Sequence, residues 1–220
     1  MCHDDVMIRV ELYYDIVSPY SYLAFAALNR YERRWQLDLE LLPVFLGGLM
    51  KDVGNQPPIY LPARAPYIAK DVLRLSGYFD LPMRLPAGFP VNTLPTMRFL
   101  TAVADEEPQA LRPLSALLWQ RLWAEDADVT SAEALQIACE EVGLGRATAE
   151  RLVERMNEPA VKDALKARTE EAARRGAFGA PTYFVRGTDG EDEMFFGCDR
   201  LPVLAHELGL EWLGPNPDRS

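Results

Sequence analysis

Cysteine is scarce in this 220-residue chain: Cys2, Cys139 and Cys198 stand far apart and make no C-x-x-C. So small and scattered a set fits neither a disulfide framework nor a cysteine zinc site. Histidine is scarcer still, with only His3 and His206, so no metal-ligand cluster is expected. Basic residues are outnumbered, 23 Lys and Arg against 33 Asp and Glu, for a net charge of −10. Phosphate binding leans on clustered Lys and Arg, so DNA and RNA are not expected partners. No run approaches the roughly 20 apolar residues of a spanning helix. The start, Met1-Cys2-His3-Asp4-Asp5, has neither a basic region nor an apolar run. No membrane association is expected, and the chain reads as cytoplasmic.

What is present is a substantial apolar complement, 49% of residues, enough for the core of one or two domains. Residues 8 to 14 alternate, with Ile8, Val10, Leu12 and Tyr14 on one side and Arg9, Glu11 and Tyr13 on the other, which predicts a strand. Ser18 suits an N-cap and Pro19 the first helical position, so a helix is predicted from Pro19 to about Trp35. A second strand fits Leu37 to Leu42. Two parallel strands joined by a helix make a right-handed β-α-β opening.

Residues 46 to 176 change character. Leu111, Leu114, Leu118 and Leu122 recur at helical spacing, as do Leu135, Ala138, Cys139 and Val142, and Thr130 with Glu133 has a capping-box pattern. Trp119 and Trp123 lie beside the leucine stripe and read as packing. Two further strands are predicted at Pro181 to Val185 and Glu193 to Phe196, with a turn at Asp189-Gly190 between them and a last helix from Arg200 to Leu208. The order β-α-β, helical block, β-β-α describes an α/β layer interrupted by an all-helical insertion. The predicted boundaries are 6–45 plus 177–212 for the discontinuous α/β domain and 46–176 for the insertion. No repeat or low-complexity segment is present.

Two local features can carry chemistry. In Asp15-Ile16-Val17-Ser18-Pro19-Tyr20-Ser21-Tyr22 a strand ends where a helix begins, and the unpaired N–H groups of a helix start stabilise anions and thiolates. Read locally, the pattern favours Ser18 as only a cap and Pro19 as only a helix starter. In Gly179-Ala180-Pro181-Thr182 a proline opens a strand after a helix, one of the few ways proline enters a sheet. A trans edge proline is the default there, since only about 5 to 6% of X–Pro bonds are cis.

Five segments taken together carry more: YYDIVSPYSYL from Tyr13, GGLMKDVGNQPP from Gly47, MRFLTAV from Met97, GAFGAPT from Gly176 and FGCDR from Phe196. With them the sequence resembles, over nearly its whole length, the kappa class of glutathione transferases, relatives of bacterial disulfide oxidoreductases and of 2-hydroxychromene-2-carboxylate isomerase. The resemblance implies a thioredoxin-like (DsbA-like) fold with a helical insertion, a homodimer, and a cis bond between Ala180 and Pro181. It implies glutathione as co-substrate or cofactor, with no metal, and a small hydrophobic or aromatic electrophile as the second substrate. Ser18 matches the family's catalytic serine, whose hydroxyl donates to the glutathione sulfur, with Pro19 and Tyr20 shaping the pocket. Asn55 matches a residue holding the glutathione backbone, and Ala180, before Pro181, a position whose main chain pairs with the cysteinyl part. Cys198 and Asp199 match the pair gripping the γ-glutamyl end, although the mammalian kappa proteins have serine where Cys198 stands. Arg64 and Asp71 are candidates for the rim, and Lys51 or Arg64 could supply positive charge to anionic glutathione.

A serine suffices for such a role on energetic grounds. Lowering a thiol pKa from near 8.5 by about two units takes roughly 2.7 kcal/mol of thiolate stabilisation. A hydrogen bond to a charged group contributes about 1.5 to 3 kcal/mol and a helix N-terminus about 0.3 to 1. No base is needed at Ser18, which suits a chain without an evident Ser-His-Asp arrangement; His206 reads as a satisfied residue of the last helix. Because Ser18-Pro19-Tyr20-Ser21 replaces C-x-x-C, dithiol exchange is excluded, and Cys139 and Cys198 read as buried. Three functions follow: conjugation of glutathione to electrophiles, glutathione-dependent cis-trans isomerisation as in the chromene-carboxylate isomerases, and binding of glutathione or a protein without turnover. The run from Met50 to Pro58 and the ending Leu213-Gly214-Pro215 look closer to kappa than to the isomerases.

Overall fold

The structure, a computed structural model, describes residues 7–186 and 192–219. Strand β1 (Ile8–Tyr14) pairs in parallel with β2 (Leu37–Pro43), from Ile8 beside Leu37 to Tyr14 beside Pro43. On its other side β1 runs antiparallel to β3 (Thr182–Arg186), which pairs antiparallel with β4 (Asp192–Phe196), giving the order β2-β1-β3-β4. The expected turn at Asp189-Gly190 lies outside the described residues, as do Cys2 and His3.

Helix α1 (Pro19–Tyr31) starts where predicted. Ser18 is extended, and its Oγ accepts the Ser21 N–H at 3.1 Å, while Pro19 needs no acceptor at the first helical position. It ends four residues before the predicted Trp35. The chain leaves the helix through turns, and Gln36 takes a left-handed conformation with φ of 51°. The reason is aromatic packing against the end of the chain: Tyr31 stacks on Trp35 and Trp212, at 4.0 and 5.1 Å between ring centroids. The Tyr31 hydroxyl accepts from Leu213 N at 2.7 Å and donates to Gly214 O at 2.8 Å.

Between β2 and β3 lie α2 (Leu46–Asp52), α3 (Ala65–Phe79), α4 (Leu94–Glu106), α5 (Pro108–Gln120), α6 (Ala132–Glu141), α7 (Arg146–Arg155) and α8 (Pro159–Arg174). The capping box predicted at Thr130 does not form. Asp128 Oδ1 takes the Thr130 N–H and hydroxyl at 2.7 and 2.8 Å, so Ser131 caps α6 by accepting from Ala134 N at 3.2 Å. After β4 a short 3-10 turn (Cys198–Arg200) leads into α9 (Leu201–Glu207), so the last helix begins one residue later than predicted; His206 is on it, exposed.

Both faces of the sheet are covered. Val10, Leu12 and Tyr14 on β1 enter a core that runs continuously into the helical block through Phe99, Leu114, Leu118 and Trp119. Tyr13 on the opposite face, predicted only as the polar side, is buried with Val44, Leu49, Ala172, Ala177 and Phe184. Fully buried Trp119 joins the two parts: it packs on Tyr14, Tyr22 and Phe25 at centroid distances of 4.9, 5.7 and 4.9 Å. Aromatic pairs of this kind contribute about 0.5–1.5 kcal/mol each beyond area burial. Cys139 is also fully buried in this core, and no helix among the described residues is long and apolar enough to cross a membrane.

Candidate functional site

Strand β1, helix α1, the start of β3 and the turn after β4 converge at one end of the sheet. There, together with α2, α3 and the stretch from Phe89 to Thr93, they enclose a cavity of about 620 Å³. That is the size of a small-molecule site, and its wall is mainly apolar, with Phe45, Met50, Ile59, Ile68, Leu75 and Phe89.

Ser18 sits at the start of α1, against the residue that precedes Pro181 and β3, and is only 4% exposed. Its hydroxyl donates to the carbonyl oxygen of Ala180 at 2.9 Å. Because Ser18 Oγ also accepts the Ser21 N–H, one atom ties the first turn of α1 to the residue before β3. The bond between Ala180 and Pro181 is cis, as the resemblance implies, and so is that between Phe89 and Pro90, which nothing in the sequence reading signalled. With its carbonyl occupied, Ala180 keeps its N–H as a main-chain donor that meets no acceptor among the described residues.

Below Ser18 lies fully buried Asp15. One carboxylate oxygen accepts from Thr93 Oγ1 at 2.6 Å and Val17 N at 3.0 Å, the other from Leu46 N at 2.9 Å. Burial pushes the Asp15 pKa up, against these three hydrogen bonds. The side chain locks together the end of β1, the start of α2 and the start of α4, the frame on which Ser18 is mounted. Sequence reasoning did not single out Asp15 or Thr93 for the site, though an aspartate closing an apolar strand is a signal that could have been followed.

Across the cavity, Gly197 has φ of 93°, and a Cβ there would stand 2.5 Å from Asp199 Oδ1, so only glycine lets the chain turn from β4 into Cys198 and Asp199. Cys198 is buried, and burial with the nearby Asp199 charge pushes its thiol up to about 12. Asp199 is exposed and pairs with Arg200 at 3.0 Å. Burial, then the charge of Asp71, raises the Tyr20 phenol to about 12, so it is a hydrogen-bond donor throughout the neutral range.

Eight of the eleven residues singled out from sequence line this cavity: Ser18, Pro19, Tyr20, Asp71, Ala180, Pro181, Cys198 and Asp199. Lys51, Asn55 and Arg64 are exposed and do not. Asn55 instead donates from Nδ2 to Phe178 O at 2.7 Å and accepts Gln56 N at 2.8 Å, bracing the loop that leads to Ala180.

A family model described as DSBA-like thioredoxin domain matches residues 9–209. Rat glutathione S-transferase kappa 1 is 42% identical over 213 residues, covering 94% of either chain. The 2-hydroxychromene-2-carboxylate isomerase of Sphingobium xenophagum is 28% identical over 205 residues, 90% of this chain and 97% of that one. A solved structure of 2-hydroxychromene-2-carboxylate isomerase superimposes with a TM-score of 0.78 at 23% identity, over 91% of this chain and 94% of that one, a likeness of fold.

Proposed function

We propose that this chain, which belongs to the DSBA-like thioredoxin family and within it to the kappa glutathione transferases, binds glutathione at Ser18 and conjugates it to small apolar electrophiles. The observation that carries the reading is the placement of the Ser18 hydroxyl, at the start of α1, beside Ala180 and on the wall of a largely apolar cavity. The groups present suit a γ-glutamyl tripeptide. The free N–H of Ala180 pairs with the main chain of the cysteinyl part. Asp199 and the main chain at Cys198 take the ammonium end, and Pro19, Tyr20 and Pro181 shape the pocket around the sulfur. Asn55 acts by bracing the 178–180 loop, Asp71 stands on the cavity wall near Tyr20 and Cys198, and Lys51 and Arg64 are exposed outside it.

The chemistry required of the chain is modest. The thiol proton passes to solvent, and the sulfur left behind as thiolate accepts a hydrogen bond from Ser18 after its hydroxyl swings away from Ala180 O. The helix N-terminus adds its positive end. Sulfur then forms a bond to the electrophilic carbon, and the leaving group departs with its electron pair. Ser18 is a donor throughout, never a nucleophile.

The same reading makes residues 6–45 with 177–212 the glutathione-binding unit and 46–176 the unit that supplies most of the second pocket. It carries a homodimer in the cytoplasm, which light scattering tests directly. A glutathione-dependent isomerase is the second reading, favoured by the 28% identity to the Sphingobium enzyme. Conjugation of 1-chloro-2,4-dinitrobenzene supports the first. Conversion of a chromene-carboxylate with glutathione unconsumed supports the second, and binding of glutathione without either turnover leaves a binding module.

A further inference from the structure

Of the polar side chains on the cavity wall, Ser18, Tyr20, Asp71, Cys198 and Asp199 belong to the glutathione site, and Asp15 and Thr93 are bonded to each other at 2.6 Å. Among the described residues that leaves Tyr60 and Asn92 on a wall otherwise apolar. Tyr60 is exposed on a 3-10 turn (Pro58–Tyr60), and its hydroxyl has no hydrogen-bond partner among the described residues to hold it in place. Asn92 is anchored. Its Oδ1 accepts the Leu94 N–H, at the start of α4, at 3.2 Å. Only the oxygen of an amide accepts, so this bond fixes which end is which, and both Nδ2 hydrogens are left without an acceptor among the described residues. The cap uses the oxygen alone, and aspartate or serine would serve it as well. The amide donors are what asparagine adds.

Asn92 also shares a mounting with Ser18. Thr93, next in the chain, is buried and donates to Asp15 Oδ1, while the main-chain oxygen of Asp15 accepts the Ser18 N–H at 3.1 Å. A donor held on the same frame as the serine needs little reorganisation during reaction. We propose that Asn92 is a catalytic residue that donates from Nδ2 to an oxygen of the second substrate, and that this site takes conjugated electrophiles, nitroarenes and α,β-unsaturated carbonyls. This rests on the transferase reading of the same site. The sulfur electron pair forms the new bond to carbon, and a π pair of the acceptor shifts onto the nitro or carbonyl oxygen, where the Asn92 amide meets it. In a nitroarene that pair returns to the ring as the halide leaves with its bonding electrons; in an enone the enolate carbon takes a proton from water. The hydrogen bond strengthens as the oxygen gains charge, so it stabilises the transition state more than the bound substrate. An electrophile that passes its charge wholly to a departing halide gains nothing from Asn92.

The test gives the full chain glutathione and two neutral aromatic electrophiles: 1-chloro-2,4-dinitrobenzene, and benzyl chloride, which has no oxygen to receive charge. Asn92→Asp keeps the shape and the Leu94 cap but offers no amide donor, and Asn92→Ala removes both. Each rate is taken per bound thiolate, from the glutathione affinity and thiol pKa measured on the same variant, so an effect on glutathione alone drops out. Both variants are expected to lower kcat/KM for 1-chloro-2,4-dinitrobenzene by about tenfold or more, with benzyl chloride little changed. Full activity in Asn92→Asp overturns the proposal, because shape and cap alone would then suffice, and so does an equal fall for the two electrophiles. Conjugation that both variants leave unmoved overturns this proposal alone. Conjugation of neither electrophile by the natural sequence overturns the transferase reading and this proposal with it.

Discussion

The hydroxyl of Ser18 donates to the carbonyl oxygen of Ala180 at 2.9 Å, joining residues 162 positions apart. The contact makes Ser18 more than a helix cap, since a cap needs only its lone pairs and the proton here is directed at the segment that opens β3. In the proposed complex a thiolate in the cavity beside Ser18 competes with a neutral carbonyl for that proton. The competition favours the charged acceptor, because hydrogen bonds to ionised partners are roughly twice as strong.

Ser18→Ala removes the donor and the cap together. Loss of a hydrogen bond of about 1.5–3 kcal/mol to the developing thiolate lowers kcat/KM for conjugation by roughly 10- to 150-fold. Loss of the cap lowers unfolding free energy by about 1 kcal/mol in urea titration. Ser18→Thr keeps both functions and retains most of the activity.

Asp15→Asn tests the frame under the serine. An amide offers one acceptor oxygen where the carboxylate uses two, so either Leu46 N or the Thr93 and Val17 pair loses its partner. The expected loss is about 1–3 kcal/mol of unfolding free energy, measured by urea denaturation, with a fall in conjugation rate that exceeds any change in glutathione affinity.

How much of this was legible in the sequence depended on whether the signal was local. The β-α-β opening and the start of α1 were readable because Ser18 and Pro19 are local signals whose partners lie within three residues. The end of α1 was not, because it is decided by Tyr31 meeting Trp212 and Leu213 from the other end of the chain. Burial of Tyr13 was missed for a related reason: alternation predicts one wet face, and α2 and α8 cover it. Most of the pocket followed from the family resemblance, whereas the local pattern at Ser18 favoured a plain cap. Asn55 was identified by its motif, but its bond to Phe178 O depends on a loop 123 residues away.

Gly197→Ala forces a side chain onto φ of 93° and drives its Cβ to within 2.5 Å of Asp199 Oδ1. Backbone strain of about 1–3 kcal/mol is expected, and Asp199 must move. Calorimetry should find glutathione affinity reduced several-fold while far-ultraviolet circular dichroism is unchanged. Unaltered affinity would remove Asp199 from the site.

The Cys198 thiol gives a pH signature. Burial raises it from 9.0 to about 12 in the folded chain, so between those values the unfolded state releases its proton first and binds fewer protons. Unfolding free energy therefore falls as pH rises through that window, by about 1.4 kcal/mol at pH 10. Cys198→Ser flattens this alkaline decline in urea titrations at pH 8 and pH 10, and an unchanged decline would show that the thiol is not held protonated by the fold.

The central claim is that Ser18 and the start of α1 hold glutathione as its thiolate. Titrating glutathione into the protein by calorimetry, while following thiolate ultraviolet absorbance as pH is varied, tests it most directly. The account predicts saturable binding and a bound-thiol pKa about two units below the free value near 8.5, with much of that shift lost in Ser18→Ala. No binding, or a bound thiol that titrates as it does in water, would contradict it.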